Sequence, residues 1–316
     1  MAVPAGMTVR AATLDDVAAV CALLNAVDEI ELGRAETELH EVAEELGHPD
    51  VDLERDSWLL ADADGRLVGY GLVRGRPGDQ RIDLDQYLLP DQLEGALHLF
   101  DLMEGRAGEL AAAGGAQRAV LHLHLNSEPT VDTDAMRRRG WSPVRRHHVL
   151  TRSVDPVADP APVPPPGVTL RACADESDRR TAHRLLEESF ADHFDFRPRS
   201  YEQWLADVEG AGLDWSLVWI AAVDGLGDAA VLRTRDDRSA TAWASQLGVV
   251  PAARSRGLGG HLLRHFFAHY AARGRTRVGL GVDTANTTGA PALYARHGMV
   301  LDFAVDTWEL VLPLGS

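Results

Sequence analysis

The chain contains 316 residues, of which 45% are hydrophobic and 25% charged, and it carries a formal net charge of −17. This length and composition exclude a disordered or fibrous protein and allow two domains, each with its own hydrophobic core. The acidic surface disfavours nucleic acid as a partner because it repels phosphates. It favours a cationic substrate such as an amine, although solubility alone also explains it.

No segment favours a membrane or an export signal. The longest strongly apolar run, residues 217–223, is far shorter than the roughly 20 residues that cross a bilayer. The N-terminus has no basic segment followed by an apolar one. Cys21 and Cys173 form no Cys-x-x-Cys motif, which argues against a disulfide framework and a zinc site. We therefore expect a cytoplasmic protein, monomeric or homodimeric, without a metal ion.

Elements of the first half recur in the second half. In both halves a short alternating strand leads into an acidic helix start, an apolar strand runs into an Asp-Gly hairpin turn, and a helix ends on glycine before a final strand. The matched residues are Arg10 and Arg171, Trp58 and Trp219, and Gly140 and Gly298. This internal repeat predicts two copies of one fold.

The first copy contains a strand, turn and helix that are poorly suited to an anion. Its strand, residues 82–89, breaks at Pro90, and Asp91 and Glu94 follow before the helix. Both carboxylates repel a phosphate at the helix N-terminus. The turn also lacks arginines and paired glycines. We therefore expect no pyrophosphate site in this copy.

A proline-rich segment separates the copies. Residues 155–167 include six prolines, which disrupt both helices and central strands. We predict an N-terminal domain at 7–152, a linker at 153–167 and a C-terminal domain at 168–316. Each domain has the order strand, helices, hairpin strands, long helix, strand, helix, strand. This order predicts an α+β (αβα layered) fold with a mixed, mostly antiparallel sheet flanked by helices.

The same segment of the second copy is suited to a pyrophosphate. The strand 241–250 breaks at Pro251, and we predict a helix from His261 to about Arg273. The glycine-rich turn between them directs several backbone N–H groups to one place, where the helix dipole adds positive charge. Its glycines leave the backbone accessible and its arginines add charge. They are Gly257, Gly259, Arg254 and Arg256.

The run Arg254-Ser-Arg-Gly257-Leu-Gly259 resembles the Arg/Gln-x-x-Gly-x-Gly/Ala motif of the GNAT superfamily of N-acyltransferases, in the same place between a strand and a helix. The resemblance continues through residues 277–299, with an asparagine, a tyrosine and a closing glycine. It implies two tandem GNAT-like domains and acetyl-CoA as co-substrate. It also implies two splayed strands, between which the pantetheine arm adds like an extra strand.

The resemblance implies a set of binding residues. Backbone groups of Leu247, Gly248 and Val249 contact pantetheine and the thioester, the turn of Arg254, Ser255, Arg256, Gly257, Leu258, Gly259 and Gly260 holds the pyrophosphate, and Asn286 faces the cofactor. The N–H of Val249 is the expected donor to the tetrahedral oxyanion. The spacing from Asn286 to Tyr294 is one residue longer than the commonest form in the family.

Tyr294 is the expected general acid. Attack of an amine on a thioester expels a thiolate, and a phenol with a pKa of about 10 can protonate a thiolate of comparable basicity. The alternative is a core tyrosine that packs beside Leu293. The general base is left open among Asp283, Asp306, Glu309 and the cluster Asp192, His193, Phe194 and Asp195.

The first copy lacks this chemistry, because Met136 stands at the position that matches Tyr294 and has no proton to donate. We interpret the first copy as a scaffold that lost acetyl-CoA. Its retained function is to cover the other domain or to shape the substrate pocket.

The leading interpretation is transfer of an acetyl group from acetyl-CoA to a primary amine of a small molecule. Mycothiol synthase is an alternative with a similar tandem architecture, but residues 241–246 lack the acidic substrate-binding residue of that family. A non-catalytic acyl-CoA sensor is the alternative from another class, and Tyr294 argues against it. Acetylation of protein amines is a third possibility that no feature marks.

Overall fold

The computed structural model describes residues 3–210, 212–238 and 241–315. The chain divides into two compact units. Unit 1 comprises Met1–His147 and Phe303–Ser316, and unit 2 comprises His148–Asp302. Each unit is an α+β fold with a mixed, mostly antiparallel sheet flanked by helices, as the sequence predicts.

The sheet of unit 1 has the strand order β1-β2-β3-β4-β5-β12, with labels in chain order. The strands are β1 (Thr8–Arg10), β2 (Ser57–Ala61), β3 (Leu67–Arg74), β4 (Arg81–Leu88), β5 (Arg118–Asn126) and β12 (Val300–Pro313). The helices are α1 (Val17–Leu32), α2 (Leu39–Leu46), α3 (Leu53–Asp56), α4 (Leu93–Ala112) and α5 (Thr133–Arg138). Neighbouring strands are antiparallel except β4 and β5, which are parallel.

The sheet of unit 2 has the order β6-β11-β10-β9-β8-β7. The strands are β6 (Ser142–Ser153), β7 (Val168–Ala172), β8 (Val218–Val223), β9 (Gly227–Arg235), β10 (Ala242–Val249) and β11 (Arg277–Asp283). The helices are α6 (Glu176–Phe190), α7 (Tyr201–Gly210), α8 (Leu258–Ala272) and α9 (Ala290–Arg296). Here β10 and β11 are parallel. The proline-rich residues 154–167 form neither helix nor strand.

The C-terminal strand belongs to unit 1, in contrast to the domain boundary 168–316 predicted from the sequence. β12 pairs with β5 from Val305↔Asn126 to Pro313↔Arg118, and its Trp308 lies in a hydrophobic core of unit 1. β6 begins in unit 1 and ends in unit 2, where it neighbours β11. The final strand of each repeat therefore pairs within the unit built mainly from the other repeat.

Helix α8 begins at Leu258, three residues before the predicted start at His261. The reason is the conformation of Gly257, whose φ of 80° makes it the N-cap of the helix. The apolar face of α8 forms the centre of the unit 2 core. Its residues Phe266, Phe267 and Tyr270 are at most 1% exposed.

Three histidines lie four residues apart on α8, which places them on one face of the helix. They are His261, His265 and His269, and ring nitrogens of all three are buried without a hydrogen-bond partner in the described chain. The rings of His265 and His269 contact Trp219 with centroid distances of 4.9 and 4.8 Å. Burial, followed by the charges of His269 and His261, lowers the pKa of His265 to about 4.

We expect unit 2 to lose stability on acidification because of His265. Its folded pKa lies below the unfolded value of about 6.5, so the unfolded state takes up a proton first as the pH falls. The loss therefore runs from about pH 6.5 to about pH 4, with a slope of at most about 1.4 kcal/mol per pH unit. Urea unfolding at about pH 7 and about pH 5 measures it.

His265→Phe keeps a ring against Trp219 but removes the proton site, so its stability should change less with pH. His48→Gln, an exposed histidine of unit 1, is the control and should behave like the wild type. Equal pH slopes for the wild type and His265→Phe would show that His265 does not cause the acid sensitivity.

Within the described ranges, none of the helices is long and apolar enough to cross a membrane. The same residues contain no group of three His, Cys, Asp or Glu side chains placed to hold a metal ion.

Candidate active site

The two parallel strands of unit 2 separate before the glycine-rich turn. Their register runs from Ala242↔Val278 to Ala244↔Leu280, whereas β10 continues to Val249 and β11 to Asp283. Backbone groups beyond the paired region need another partner or water. The strands are therefore splayed at this end of the sheet.

Leu247 and Val249 direct their backbone groups into the gap between β10 and β11. Val250 N donates to Ala229 O on β9 at 3.0 Å, which makes these two residues a hydrogen-bonded antiparallel pair. Backbone groups of an antiparallel strand point alternately to its two sides. The N–H groups of Val249 and Leu247 therefore point away from β9 and towards the gap.

Gly248 lies between them, and its backbone groups face β9, where it is paired with Val231. Its contribution is the absence of a side chain. A Cβ at Gly248 would lie 2.8 Å from Ser189 Cβ and 3.2 Å from a ring carbon of Phe190, at the end of α6. Glycine therefore allows the end of α6 to pack directly against β10.

The turn between β10 and α8 is shaped for backbone recognition of an anion. Ser255 and Gly257 have positive φ angles of 63° and 80°. No side chain caps the N-terminus of α8 at Gly257, so its first N–H groups lack this partner. Such groups, together with the helix dipole, bind phosphates.

The turn, the end of β10 and helix α9 meet around Gly259. A Cβ there would lie 3.1 Å from Leu293 Cδ2 and 3.8 and 4.0 Å from the side chains of Leu247 and Val249. Leu293 directly precedes Tyr294 on α9. The structure therefore brings together three of the segments that the sequence assigns to acetyl-CoA.

The two arginines of the turn have different surroundings. Arg254 is partly buried, and its Nε and Nη2 donate to Val249 O (3.2 Å) and Ser189 O (3.4 Å). It thereby holds the turn against the ends of β10 and α6. Arg256 is exposed and has no hydrogen-bond or ion-pair partner among the described residues. Its charge is available to a phosphate.

Tyr294 is 7% exposed and belongs to the hydrophobic core of unit 2. Burial raises its pKa to about 12, so the phenol remains protonated at any ordinary pH. Its hydroxyl makes no hydrogen bond within the described part of the chain. The ring is thus a core residue, and its proton is also available to a ligand.

Asn286 stabilises its own loop. Its Oδ1 accepts from Thr288 N (2.8 Å) and Thr288 Oγ1 (2.6 Å), and its N–H donates to Asp283 O (3.1 Å). The segment between Asn286 and Tyr294 includes Gly289, the N-cap of α9, which has a φ of 80°. The side-chain carbonyl of Asn286 is occupied, which leaves its amide N–H groups for a ligand.

The candidates for the general base lie in different places. Asp306 binds Arg146 (2.6 Å) and Glu309 binds His122 (2.8 Å), and all four belong to unit 1. Asp283 accepts from Ala285 N (2.8 Å) and so caps its own turn.

The cluster from Asp192 to Asp195 lies in the loop directly after α6. Asp192 and Asp195 are exposed, and His193 packs its ring on Phe190 with a centroid distance of 4.4 Å. This loop follows the helix end that packs against Gly248. The general base stays open among these candidates.

Side chains of unit 1 occupy the corresponding gap between β4 and β5. The parallel register runs from Arg81↔Val120 to Leu84↔Leu123, and β4 continues to Leu88. Leu88 O accepts from Thr130 Oγ1 (2.7 Å), while Glu31 accepts from Thr130 N (2.6 Å) and Asn126 Nδ2 (2.7 Å). Thr130, Glu31 and Asn126 therefore form a hydrogen-bonded group at the end of β4.

The rest of the unit 1 site also opposes acyl-CoA. Asp91 has a φ of 64° in the turn, and Glu94 lies in the first turn of α4, where its charge repels phosphates. Met136, the counterpart of Tyr294, is fully buried.

No sequence motif marks the side chains in the unit 1 gap or three polar residues on β9 and β10 of unit 2. Glu31 is one acid in a run of several, and Asn126 and Thr130 belong to no motif. Arg233, Ser245 and Gln246 are likewise ordinary strand residues in the sequence. Only the pairing of the strands shows what they face.

A sequence model described as an acetyltransferase (GNAT) domain matches residues 214–299, which include β10, the turn and Tyr294. No protein with a curated description matches the chain in sequence.

Solved structures match both units together. A GCN5-related N-acetyltransferase from Sphaerobacter thermophilus is 25% identical, with a TM-score of 0.86 over 100% of this chain and 98% of that chain. A tandem GNAT protein from the clavulanic acid biosynthesis pathway is 17% identical, with a TM-score of 0.69 over 98% and 99%. The N-myristoyltransferase of Saccharomyces cerevisiae with bound myristoyl-CoA is 11% identical, with a TM-score of 0.60 over 99% and 80%. The last two likenesses concern the fold alone.

Proposed function

We propose, from the premise that the chain belongs to the GNAT superfamily and is an acyltransferase with two tandem GNAT domains, that unit 2 transfers an acetyl group from acetyl-CoA to a primary amine of a small molecule. The observation that carries the proposal is the gap between β10 and β11. It ends at an uncapped helix N-terminus and is lined by backbone groups of Leu247 and Val249, including the N–H of each, that point away from β9; Arg254 Nε bonds Val249 O.

The residues present fit a CoA thioester. The gap takes an extended pantetheine arm, the N–H groups from Gly257 to Gly260 and the exposed Arg256 take the pyrophosphate, and the amide of Asn286 faces the same cofactor. The N–H of Val249 points into the gap, and this direction supports its proposed role as donor to the oxyanion that forms when an amine attacks the thioester. Acetyl-CoA brings the activated acyl group, and these residues bind and orient it.

Tyr294 supports a catalytic function over a sensor. Its protonated hydroxyl makes no hydrogen bond with the described residues, and Tyr294 directly follows Leu293, which contacts the turn at Gly259. A phenol that is protonated and has no other hydrogen-bond partner can protonate the departing thiolate. A module that only bound acyl-CoA would have no need of such a group.

Release of free CoA from acetyl-CoA tests the proposal directly. We expect amine-dependent release with a panel of small primary amines, including cysteinyl glucosaminyl-inositol, the acceptor of mycothiol synthase. Preference for that acceptor would support the mycothiol synthase alternative. Tight binding of acetyl-CoA without amine-dependent release would contradict the proposal and favour a sensor. Comparing acetyl-CoA with myristoyl-CoA tests the acetyl assignment.

A further inference from the structure

Arg233 on β9 is a partly buried cation without an anionic partner. Its Nε is fully buried and makes no hydrogen bond. No carboxylate of the described residues forms an ion pair with it, and the residues outside the described ranges include no Asp or Glu. An unpaired guanidinium in a partly buried position is costly unless a ligand neutralises it. The chain has 48 acidic residues against 31 basic ones, so the lack of a carboxylate beside Arg233 is not explained by a shortage of acids.

Two further unpaired polar groups lie opposite Arg233. Arg233 is paired with Gln246 on β10, and the register shifts at this point, so that Ser245 is an extra residue in the strand. Gln246 Oε1 and Ser245 Oγ are buried without hydrogen bonds. Such bulges commonly lie beside active sites, where they redirect side chains. Three orphaned polar groups therefore gather at one bulge.

The side chains of Arg233 and Gln246 lie on the face of the sheet that meets the end of α6. Thr234, the neighbour of Arg233, bonds Tyr270 of α8 at 2.7 Å, so Arg233 faces the opposite side. Gln246 and Gly248 share a face because they are two residues apart, and Gly248 meets Ser189 and the end of α6. Arg233 and Gln246 thus lie beside the strand end that receives the thioester.

The surroundings of Arg233 are positive. Burial and then the charges of Arg199 and Arg235 lower the pKa of Arg233 to about 10. Both neighbours have carboxylate partners: Arg199 pairs with Asp207 at 3.0 Å, and Arg235 pairs with Asp237 at 3.6 Å. Only Arg233 of the three is without one among the residues that the structure describes.

We infer that Arg233 binds an anionic group, a carboxylate or a phosphate ester, of the amine acceptor, and that Ser245 and Gln246 accept N–H groups of the same molecule. The inference rests on the proposed function and narrows its substrate class to amines that carry an anion. Val249, the oxyanion donor, lies three residues beyond Gln246, or about 10 Å along the strand. The amine and the anion of the acceptor are therefore separated by several bonds.

Acceptor pairs that differ only in the anion test this inference. The carboxylate arm compares γ-aminobutyrate and ε-aminocaproate with their amides, and the phosphate arm compares phosphoethanolamine with ethanolamine. We expect at least one arm to show a preference of about tenfold or more in kcat/KM for the anionic member, as a charge-assisted hydrogen bond supplies. The arm with the preference identifies the anion.

Arg233→Ala should remove that preference, mainly through a higher KM for the anionic member, and should change the neutral member less than twofold. Arg233→Lys keeps the charge and should retain part of the preference. Arg235→Ala, which removes an exposed arginine paired with Asp237, is the matched control and should keep all of it. Thermal unfolding checks that each variant is folded.

Two results would overturn the inference while leaving the proposed function intact. One is equal use of the anionic and neutral members by the wild type, and the other is a preference that survives in Arg233→Ala. If no amine releases CoA, the proposed function fails. Binding of γ-aminobutyrate and phosphoethanolamine, measured as a shift in melting temperature, then decides the inference. A shift that requires Arg233 upholds it, and any other result overturns it.

Discussion

Tyr294→Phe should lower the maximal rate of acetyl transfer by about 10²–10⁴-fold, which corresponds to roughly 3–5 kcal/mol of barrier. The substitution keeps the ring in the core of unit 2 and removes the proton. The hydroxyl has no hydrogen-bond partner in the described chain, so stability and affinity for acetyl-CoA should change little. Single-turnover kinetics measure the chemical step separately from product release.

Tyr201→Phe is the matched control for this experiment. Tyr201 is another largely buried tyrosine of unit 2, but its hydroxyl donates to Glu176 at 2.9 Å. Its loss should affect stability and leave the chemical step unchanged. An unchanged single-turnover rate in Tyr294→Phe would remove Tyr294 from the mechanism.

A fragment of residues 168–316 should fail to fold as a stable unit, whereas 148–302 should fold and bind acetyl-CoA. The first fragment follows the repeat boundary and omits the part of β6 that neighbours β11. It also retains β12 without β5, which exposes Trp308 and Leu310, both at most 6% exposed in the full chain. An apolar strand left unpaired promotes aggregation.

Cooperative urea unfolding and solubility distinguish the two fragments. The comparison is matched because both contain the same glycine-rich turn and Tyr294. If 168–316 unfolds cooperatively and 148–302 does not, the division of the chain into units is wrong.

The sequence was sufficient for the fold class and for locating the glycine-rich turn between β10 and α8, because both depend on local patterns. Glycines before an amphipathic helix and a repeated order of strands and helices are visible without tertiary structure. The start of α8 was predicted three residues late, since glycine is a poor helix former and Gly257 here is a left-handed N-cap.

Features that depend on pairing between distant segments were beyond the sequence. The internal repeat assigned β12 to the second half of the chain, whereas β12 pairs with β5 of unit 1. A strand has the same hydrophobic pattern whichever sheet it joins, so the sequence does not show this exchange. Sequence resemblance assigns Arg254 to the pyrophosphate, and only the structure shows that its guanidinium also bonds Val249 O and Ser189 O. The isolation of Arg233 is visible only when all of its neighbours are known.

The central claim is that the chain has one acyl-CoA site and that it lies in unit 2. Titration calorimetry with acetyl-CoA tests it most directly. We expect one site per chain, weakened about tenfold or more by Arg256→Glu, which places a negative charge in the exposed part of the turn. Arg66→Glu, the same charge change on an exposed residue of unit 1, should have no effect. Two sites per chain, or one site indifferent to Arg256→Glu, would contradict the account.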